Sequence, residues 1–236
     1  MGSVIASGIK GKVLLSDKNK HIFDNISLAK RSDVIILAVK PQDIRNVLEE
    51  IKPYTKGKLV ISIAAGVTTL FLEKILGKVR VVRIMPNMPV MVGKGISAIS
   101  CGRFAKAKDF KIASRIFSNL GEVIEVKEKM MDAVTSVSGS GPAYYFLFTY
   151  LLANAAQANG LKKGLALKLA RATFIGAAEI IKSKNLSMEE LIKKVASKGG
   201  ITEAALKVFK QEKLGTIIKK AVKSALLKSS NVTKRV

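Results

Sequence analysis

The sequence predicts an α/β domain built on a doubly wound sheet, followed by a domain made only of helices. Three observations predict this. From Lys12 to about Val126, short Val- and Ile-rich runs alternate with helix-like segments, and the runs are bounded by Gly, Pro or Asp, as strands buried on both faces are. After about Lys127 the strand signals stop, and apolar residues recur at helical spacing. No long linker rich in Gly, Ser or Pro separates the halves, so domains at 1–127 and 128–236 are expected to pack directly on each other or on a partner subunit.

The elements follow in order. Gly2 and the small, apolar run Ser3, Val4, Ile5, Ala6 open a short helix, and KVLLS (12–16) reads as a strand closed by Asp17. A helix feeding such a strand is the second half of a nucleotide-binding βαβ unit, whose first half is a strand and a glycine turn. DVIILAV (33–39), KLVISIA (58–64), KVRVVRI (78–84), GISAIS (95–100) and EVIEV (122–126) read as further strands, with PQDIRNVLEEI (41–51) and VTTLFLEKIL (67–76) as helices between them. Helical crossovers predict that the strands run parallel. Beyond them, helices are expected at Pro142–Asn159, Lys163–Lys184, Ser187–Lys194, Glu203–Gln211 and Leu214–Ser229.

The balance of 41 basic against 17 acidic residues gives a net charge of +24. Lysines are scattered through every segment, with no basic run interleaved with aromatics and no zinc-ligand spacing, so specific nucleic-acid recognition is not expected. The most apolar stretch, AYYFLFTYLLANAA (143–156), meets Asn154 before it could span a bilayer and reads as a buried helix, so no membrane partner is expected. No signal peptide is visible, and one cysteine, Cys101, excludes an intramolecular disulfide and fits a reducing compartment. The expected location is the cytoplasm. No metal-ligand pattern occurs, and His21, the single histidine, reads as a surface residue.

In open α/β sheets, ligands bind beyond the carboxyl ends of the strands. The residues there are Val39, Lys40 and Pro41 after the DVIILAV run, Ala64 and Ala65 ahead of Gly66, and Asn87 in the segment Pro86-Asn87-Met88-Pro89. A lysine held at a strand end by proline offers a fixed cation to phosphate or ribose, and Ala-Gly leaves room for a flat ring. Each alone reads first as a turn. Their recurrence along one crevice favours a cofactor.

Two loops rich in small residues follow. TSVSGSGPAYYF (135–146) places Ser138 to Gly141 ahead of a proline and an aromatic helix, which reads either as a helix start able to seat an anion or as a capped helix at a close crossing. VASKGGITEAALKVF (195–209) gathers Ser197, Gly199, Gly200 and Thr202 between two helices, either as a nest of hydroxyls and amides for a small carboxylate or as an ordinary helix stop.

Together, LAVKPQ, ISIAAGV, RIMPNMP, MDAVTSVSGSGPAYYF and the Ser-x-Gly-Gly-x-Thr-x-x-Ala-Leu pattern of Ser197 to Leu206 occur in one order over nearly the whole chain. In this the sequence resembles the pyrroline-5-carboxylate reductases. The resemblance implies a Rossmann-like nicotinamide-binding domain and a helical domain that interlocks with a second copy, giving a homodimer or larger assembly. It implies reduction of the cyclic imine of pyrroline-5-carboxylate to L-proline with NADPH or NADH, the last step of proline biosynthesis. Carried over by motif, Gly2, Val39, Lys40 and Ala65 contact the cofactor, with Asn25 near its adenosine end. Ser197, Gly199, Gly200 and Thr202 hold the substrate carboxylate, and the Thr202 hydroxyl lies near the ring nitrogen as the catalytic group.

The chain departs from the family pattern at several points. Met1-Gly2-Ser3 matches the end of the family's glycine turn, so the first strand and the earlier glycines are expected to be lacking; an inactive oligomeric remnant of the family is the competing reading. Lys198 stands for proline, Ile201 for a small residue, and Lys193 and Lys194 for acidic or amide residues. Asp17 favours the free ribose of NADH, whereas Ser16, Lys18 and Lys20 suit a 2′-phosphate. Because the positive charge is dispersed, two unrelated DNA duplexes should bind equally at low salt and dissociate together by about 0.2 M salt in an anisotropy titration.

Overall fold

The computed structural model describes residues 1–9, 11–17 and 23–235. It divides into two compact units, one formed by Met1–Pro142 with Lys223–Val236 and the other by Ala143–Val222. The expected boundary at 127/128 falls inside the first unit.

The first unit is built on one five-stranded sheet in the order β1 (Val34–Leu37), β2 (Leu59–Ser62), β3 (Arg80–Pro86), β4 (Gly95–Cys101) and β5 (Gly121–Glu125). β1, β2 and β3 pair in parallel, as β4 and β5 do, but β4 runs antiparallel to β3. That corrects the all-parallel expectation. The connection from Asn87 to Lys94 holds only a 3-10 turn at Met88–Val92, and a parallel return needs a crossover of about a dozen residues. The expected strand at 12–16 does not form either; only Asp17 makes an isolated bridge.

Helices α1 (Gly2–Gly8), α2 (Asn25–Arg31), α3 (Ile44–Ile51), α4 (Thr69–Leu76) and α5 (Ala107–Ser118) cover both faces of the sheet. The strand pleat sorts them. Val60 of β2 faces a core with Ile35, Leu37, Ile44, Leu48 and Leu72, while Leu59 and Ile61 face the opposite core with Ile5, Val82, Ile84, Ile99 and Phe117. Because β2 is buried on both sides, its run is continuous rather than alternating. In α3, Ile44, Leu48 and Ile51 fall on one buried helical face.

The helix ends are fixed locally. Asp24 caps α2 by accepting from the Ser27 amide at 2.7 Å, and the bonds from Ser27 hold its carboxyl below the usual range. Thr68 caps α4 through the Phe71 amide at 3.1 Å. Asp109, fully buried in the first turn of α5, accepts from the Lys106 amide at 2.8 Å and from Arg80 at 2.6 Å.

The second unit contains most of α7 (Gly141–Ala158), then α8 (Lys163–Ser183), α9 (Met188–Val195), α10 (Ile201–Gln211) and the first part of α11 (Leu214–Arg235). The 143–156 stretch, expected to be a buried helix, is helical but exposes Tyr145, Phe146, Leu147, Phe148, Tyr150, Leu151 and Leu152. Apolar surface on this scale marks an association face in a single chain.

One charged contact ties three segments of the first unit. Arg83 of β3, 2% exposed, donates to Glu128 at 2.8 Å, and the same carboxylate oxygen accepts from the Thr69 amide at 3.4 Å. Removing one partner of a buried pair strands the other charge, so Glu128→Ala should lower the unfolding free energy by about 3 kcal/mol in urea. The double change Arg83→Met with Glu128→Gln should recover most of that loss.

Candidate functional site

The parallel pairing of β1 and β2 brings two turns side by side. Leu37 is in register with Ser62, and the Ile63 amide donates to the Leu37 carbonyl at 3.1 Å, so Val39–Pro41 and Ala64–Gly66 leave the same edge of the sheet together. Val39 rests partly on the core, Lys40 is extended and exposed, and Pro41 starts a 3-10 turn. Ala64 is buried and its amide donates to the Ser62 hydroxyl at 3.2 Å; the Val67 amide closes the turn onto the Ala64 carbonyl. Gly66 adopts φ +76°, which a residue with a Cβ rarely does. At the end of β1, a Cβ on Gly2 would stand 3.0 Å from Ala38 Cβ, so α1 begins hard against this edge.

Gly2, Val39, Lys40, Pro41, Ala64 and Ala65 thus gather at one edge. The set offers bare Cα positions, small side chains and one cation, with no acid among them. That chemistry fits a dinucleotide, whose phosphates want amides and a cation and whose ring wants a flat, apolar wall.

The two asparagines make other contacts. Asn25 accepts from the Ser16 hydroxyl at 2.8 Å and donates to Glu50 at 2.7 Å, so its amide ties the segment before α2 to α3. Asn87 accepts from the Ile96 amide at 2.9 Å and staples the β3–β4 connection. Lys18, Lys20 and His21 lie outside the described residues.

The 135–141 loop is replaced by continuous helix. α6 (Met131–Val134) passes through a π-helical turn at Thr135–Gly139 into α7, and the Ser140 amide donates back to the Thr135 carbonyl at 3.0 Å. There is accordingly no helix start here to seat an anion. The glycine serves a close approach, since a Cβ on Gly139 would stand 3.0 Å from Met85 Cε.

The second loop, within the other unit, keeps its expected form. α9 is closed at its start by a reciprocal cap, Ser187 amide to Glu190 at 2.8 Å and Glu190 amide to Ser187 hydroxyl at 3.2 Å, and the bonds from Ser187 hold the Glu190 carboxyl low. After α9 the chain turns through Ser197–Gly200 and enters α10 with Gly200 as N-cap and no side-chain cap. Gly199 has φ +72°, and its amide donates to the Glu203 carboxylate at 2.6 Å. The Gly200 amide returns to the Ser197 carbonyl at 3.0 Å, while the first helical bond runs from Ala204 to Gly200. The amides of Ile201, Thr202 and Glu203 therefore precede the first helical acceptor and point into the loop. Thr202 is half-buried beside them, and Ser197 and Lys198 are exposed. Ile201, where the family has a small residue, is 92% exposed.

Ser197, Gly199, Gly200 and Thr202 thus share one turn that can hold a carboxylate with amides and hydroxyls. Glu203, which sequence reasoning did not assign, closes the turn; a carboxylate at the third position of a helix that reaches back to the preceding loop is the signal that could have found it. The residue least accessible to sequence reasoning is Asp132, which binds hydroxyls 97 to 101 positions later in the chain. Burial pushes the Cys101 thiol up, and Glu125 and Asp109 add to the shift, which disfavours the thiolate. Among the described residues, no group of His, Cys, Asp or Glu is arranged to hold a metal ion.

Comparison with known proteins bears on both units. The family model described as pyrroline-5-carboxylate reductase dimerisation matches residues 128–232, and one described as NADP oxidoreductase, coenzyme F420-dependent, matches residues 6–66. A pyrroline-5-carboxylate reductase of Synechocystis is 39% identical over 212 residues, which cover 90% of this chain and 79% of that protein. One of Methanosarcina acetivorans is 39% identical over 215 residues, 90% of this chain and 78% of its own. The crystal structure of Plasmodium falciparum pyrroline carboxylate reductase with NADP bound superposes with a TM-score of 0.87 at 33% identity, covering 98% of this chain and 92% of that one. At 39% identity over 90% of the chain, with the motifs in the same order, the chain belongs to the pyrroline-5-carboxylate reductase family.

Proposed function

We propose that this chain reduces 1-pyrroline-5-carboxylate to L-proline with NADPH or NADH, the last step of proline biosynthesis, as a cytoplasmic homodimer or larger assembly. The observation that carries this is the Ser197–Thr202 turn, in which three helix-start amides and the hydroxyls of Ser197 and Thr202 suit a small cyclic carboxylate. The reduced nicotinamide, when bound, supplies a hydride to the imine carbon. The chain supplies the rest. The amides of Ile201, Thr202 and Glu203 hold the carboxylate without a side-chain cation, and Glu203 keeps the turn in shape through Gly199. The Thr202 hydroxyl hydrogen-bonds the ring nitrogen as it becomes an amine. Val39, Lys40, Pro41, Ala64 and Ala65, with Gly2 at the same edge, orient the dinucleotide, while Asn25, toward the adenosine, and Asn87 act by fixing the segments that carry them through Glu50 and Ile96. A protonated imine is electrophilic already, so alignment is most of the catalysis.

The helical unit supports self-association. It carries the match to the dimerisation model and exposes an apolar groove of about 360 Å³ lined by Phe146, Tyr150, Leu167, Phe174 and Ile175. Among the described residues, no helix is long and apolar enough to cross a membrane.

Two outcomes follow from this reading. Thr202→Ala should lower kcat about 100-fold while leaving the thermal unfolding curve in place, and Thr202→Ser should keep most of the activity; steady-state kinetics beside circular dichroism decide this. Leu151→Asp, at the centre of the exposed α7 face, should reduce the mass in sedimentation equilibrium to that of a single chain; an unchanged mass would move the association face elsewhere.

A further inference from the structure

Asp132, in the first turn of α6, collects three hydroxyls from the last turns of α11. Ser229 donates to Oδ1 at 2.7 Å, Ser230 to Oδ2 at 3.1 Å and Thr233 to Oδ1 at 3.3 Å. The same turns of α11 rest on the loop that follows β2. A Cβ built on Gly66 would stand 2.6 Å from Val232 Cγ1, 3.1 Å from the Thr233 amide nitrogen and 3.3 Å from the Val232 carbonyl carbon. Gly66 is buried there at φ +76°. The turn carrying Ala64 and Ala65 is therefore backed by the end of the chain, and one carboxylate from a distant segment holds that end in place.

Helix formation does not require this arrangement. Chain ends fray unless they are tied down, and hydroxyls on a helix are ordinarily satisfied by water or by a carbonyl three or four residues back, as those of Thr149 and Ser183 are. Three of them converging on one half-buried carboxylate form a clamp, and its effect falls on Gly66, next to the residues that contact the dinucleotide in the proposed reductase. We propose that Asp132 is a positioning residue for the cofactor: through Ser229, Ser230 and Thr233 it holds Val232 against Gly66 and so keeps the Ala64–Gly66 turn in its binding shape. The inference rests on the reductase reading. Without the clamp, the turn must be ordered at the moment of binding, and the cost appears as lost dinucleotide affinity.

The test uses the full chain and titrates NADPH and NADH by nicotinamide fluorescence. Asp132→Ala and the double change Ser229→Ala with Thr233→Val should each raise Kd about tenfold, while Asp132→Asn, which keeps an acceptor, should stay within about threefold. Combining all three changes should weaken binding no further than Asp132→Ala alone, because the residues act as one unit. Amide exchange in residues 229–235 should quicken in the same variants, and the KM for the imine acid should stay at the parent value. A folded Asp132→Ala chain that binds like the parent overturns the clamp; if that variant does not fold, parent-like binding by the Ser229/Thr233 double change overturns it instead. An equal rise in the KM for the imine acid also overturns it, since that would be a general loss of structure. If the parent chain neither binds dinucleotide nor turns over the imine, the reductase reading itself fails and takes this inference with it.

Discussion

Burial of β2 and β3 on both faces is the constraint on which the first unit depends. Leu59, Val60, Ile61, Val81, Val82 and Ile84 are all nearly inaccessible, so helices must cover each side of the sheet. Covering both sides requires a helical crossover after each parallel strand, and the crossovers leave turns at a common edge. That edge is where Lys40, Ala64 and Ala65 emerge together. The meeting of these turns at one edge is thus a consequence of the hydrophobic pattern, and the small residues there leave their backbone open.

Charge plays a smaller part than the +24 balance suggests. The turn at Ser197–Thr202, the proposed carboxylate seat, presents backbone amides whose helix offers them no acceptor, and the residue that closes it, Glu203, is itself an acid. Where charges are buried they are structural. Arg83 with Glu128 and Arg80 with Asp109 each join a strand to a segment outside the sheet. Arg83 Nη2 and Glu128 Oε2 are buried without a hydrogen-bond partner among the described residues, so the first pair is geometrically incomplete and derives its importance from what its removal would strand. The lysines that produce the net charge lie mostly on solvated faces.

The helical half poses a different problem. α9 has a reciprocal side-chain cap and α8 and α10 have none, and the helices leave a broad aromatic and aliphatic face uncovered, of which the ring contacts between Tyr145 and Phe174 and between Phe148 and Phe209 account for only part. Such a unit completes its core by association. The last part of α11 behaves differently, since it belongs with the sheet unit and docks there through Asp132.

Much of the fold was legible in the sequence. Continuous Val and Ile runs marked β1 to β5 to within a few residues, helical periodicity marked α7 to α11, and the small residues marked the turns at Ala64–Gly66 and Ser197–Gly200, because these features rest on local periodicity and backbone geometry. The failures share one cause. The 12–16 run has strand composition but forms no ladder, β4 reverses because its connection is too short to cross over, and the 135–141 glycines sit in a π-helical turn against Met85 rather than at a helix start. Pairing, strand direction and close approach depend on residues far away in the chain, as does the meeting of Asp132 with Ser229 and Thr233. The sequence by itself determined most of the strands and helices and where the small-residue turns fall; only the tertiary structure decided which segments touch, because contact energies between distant segments leave no periodic trace along the chain.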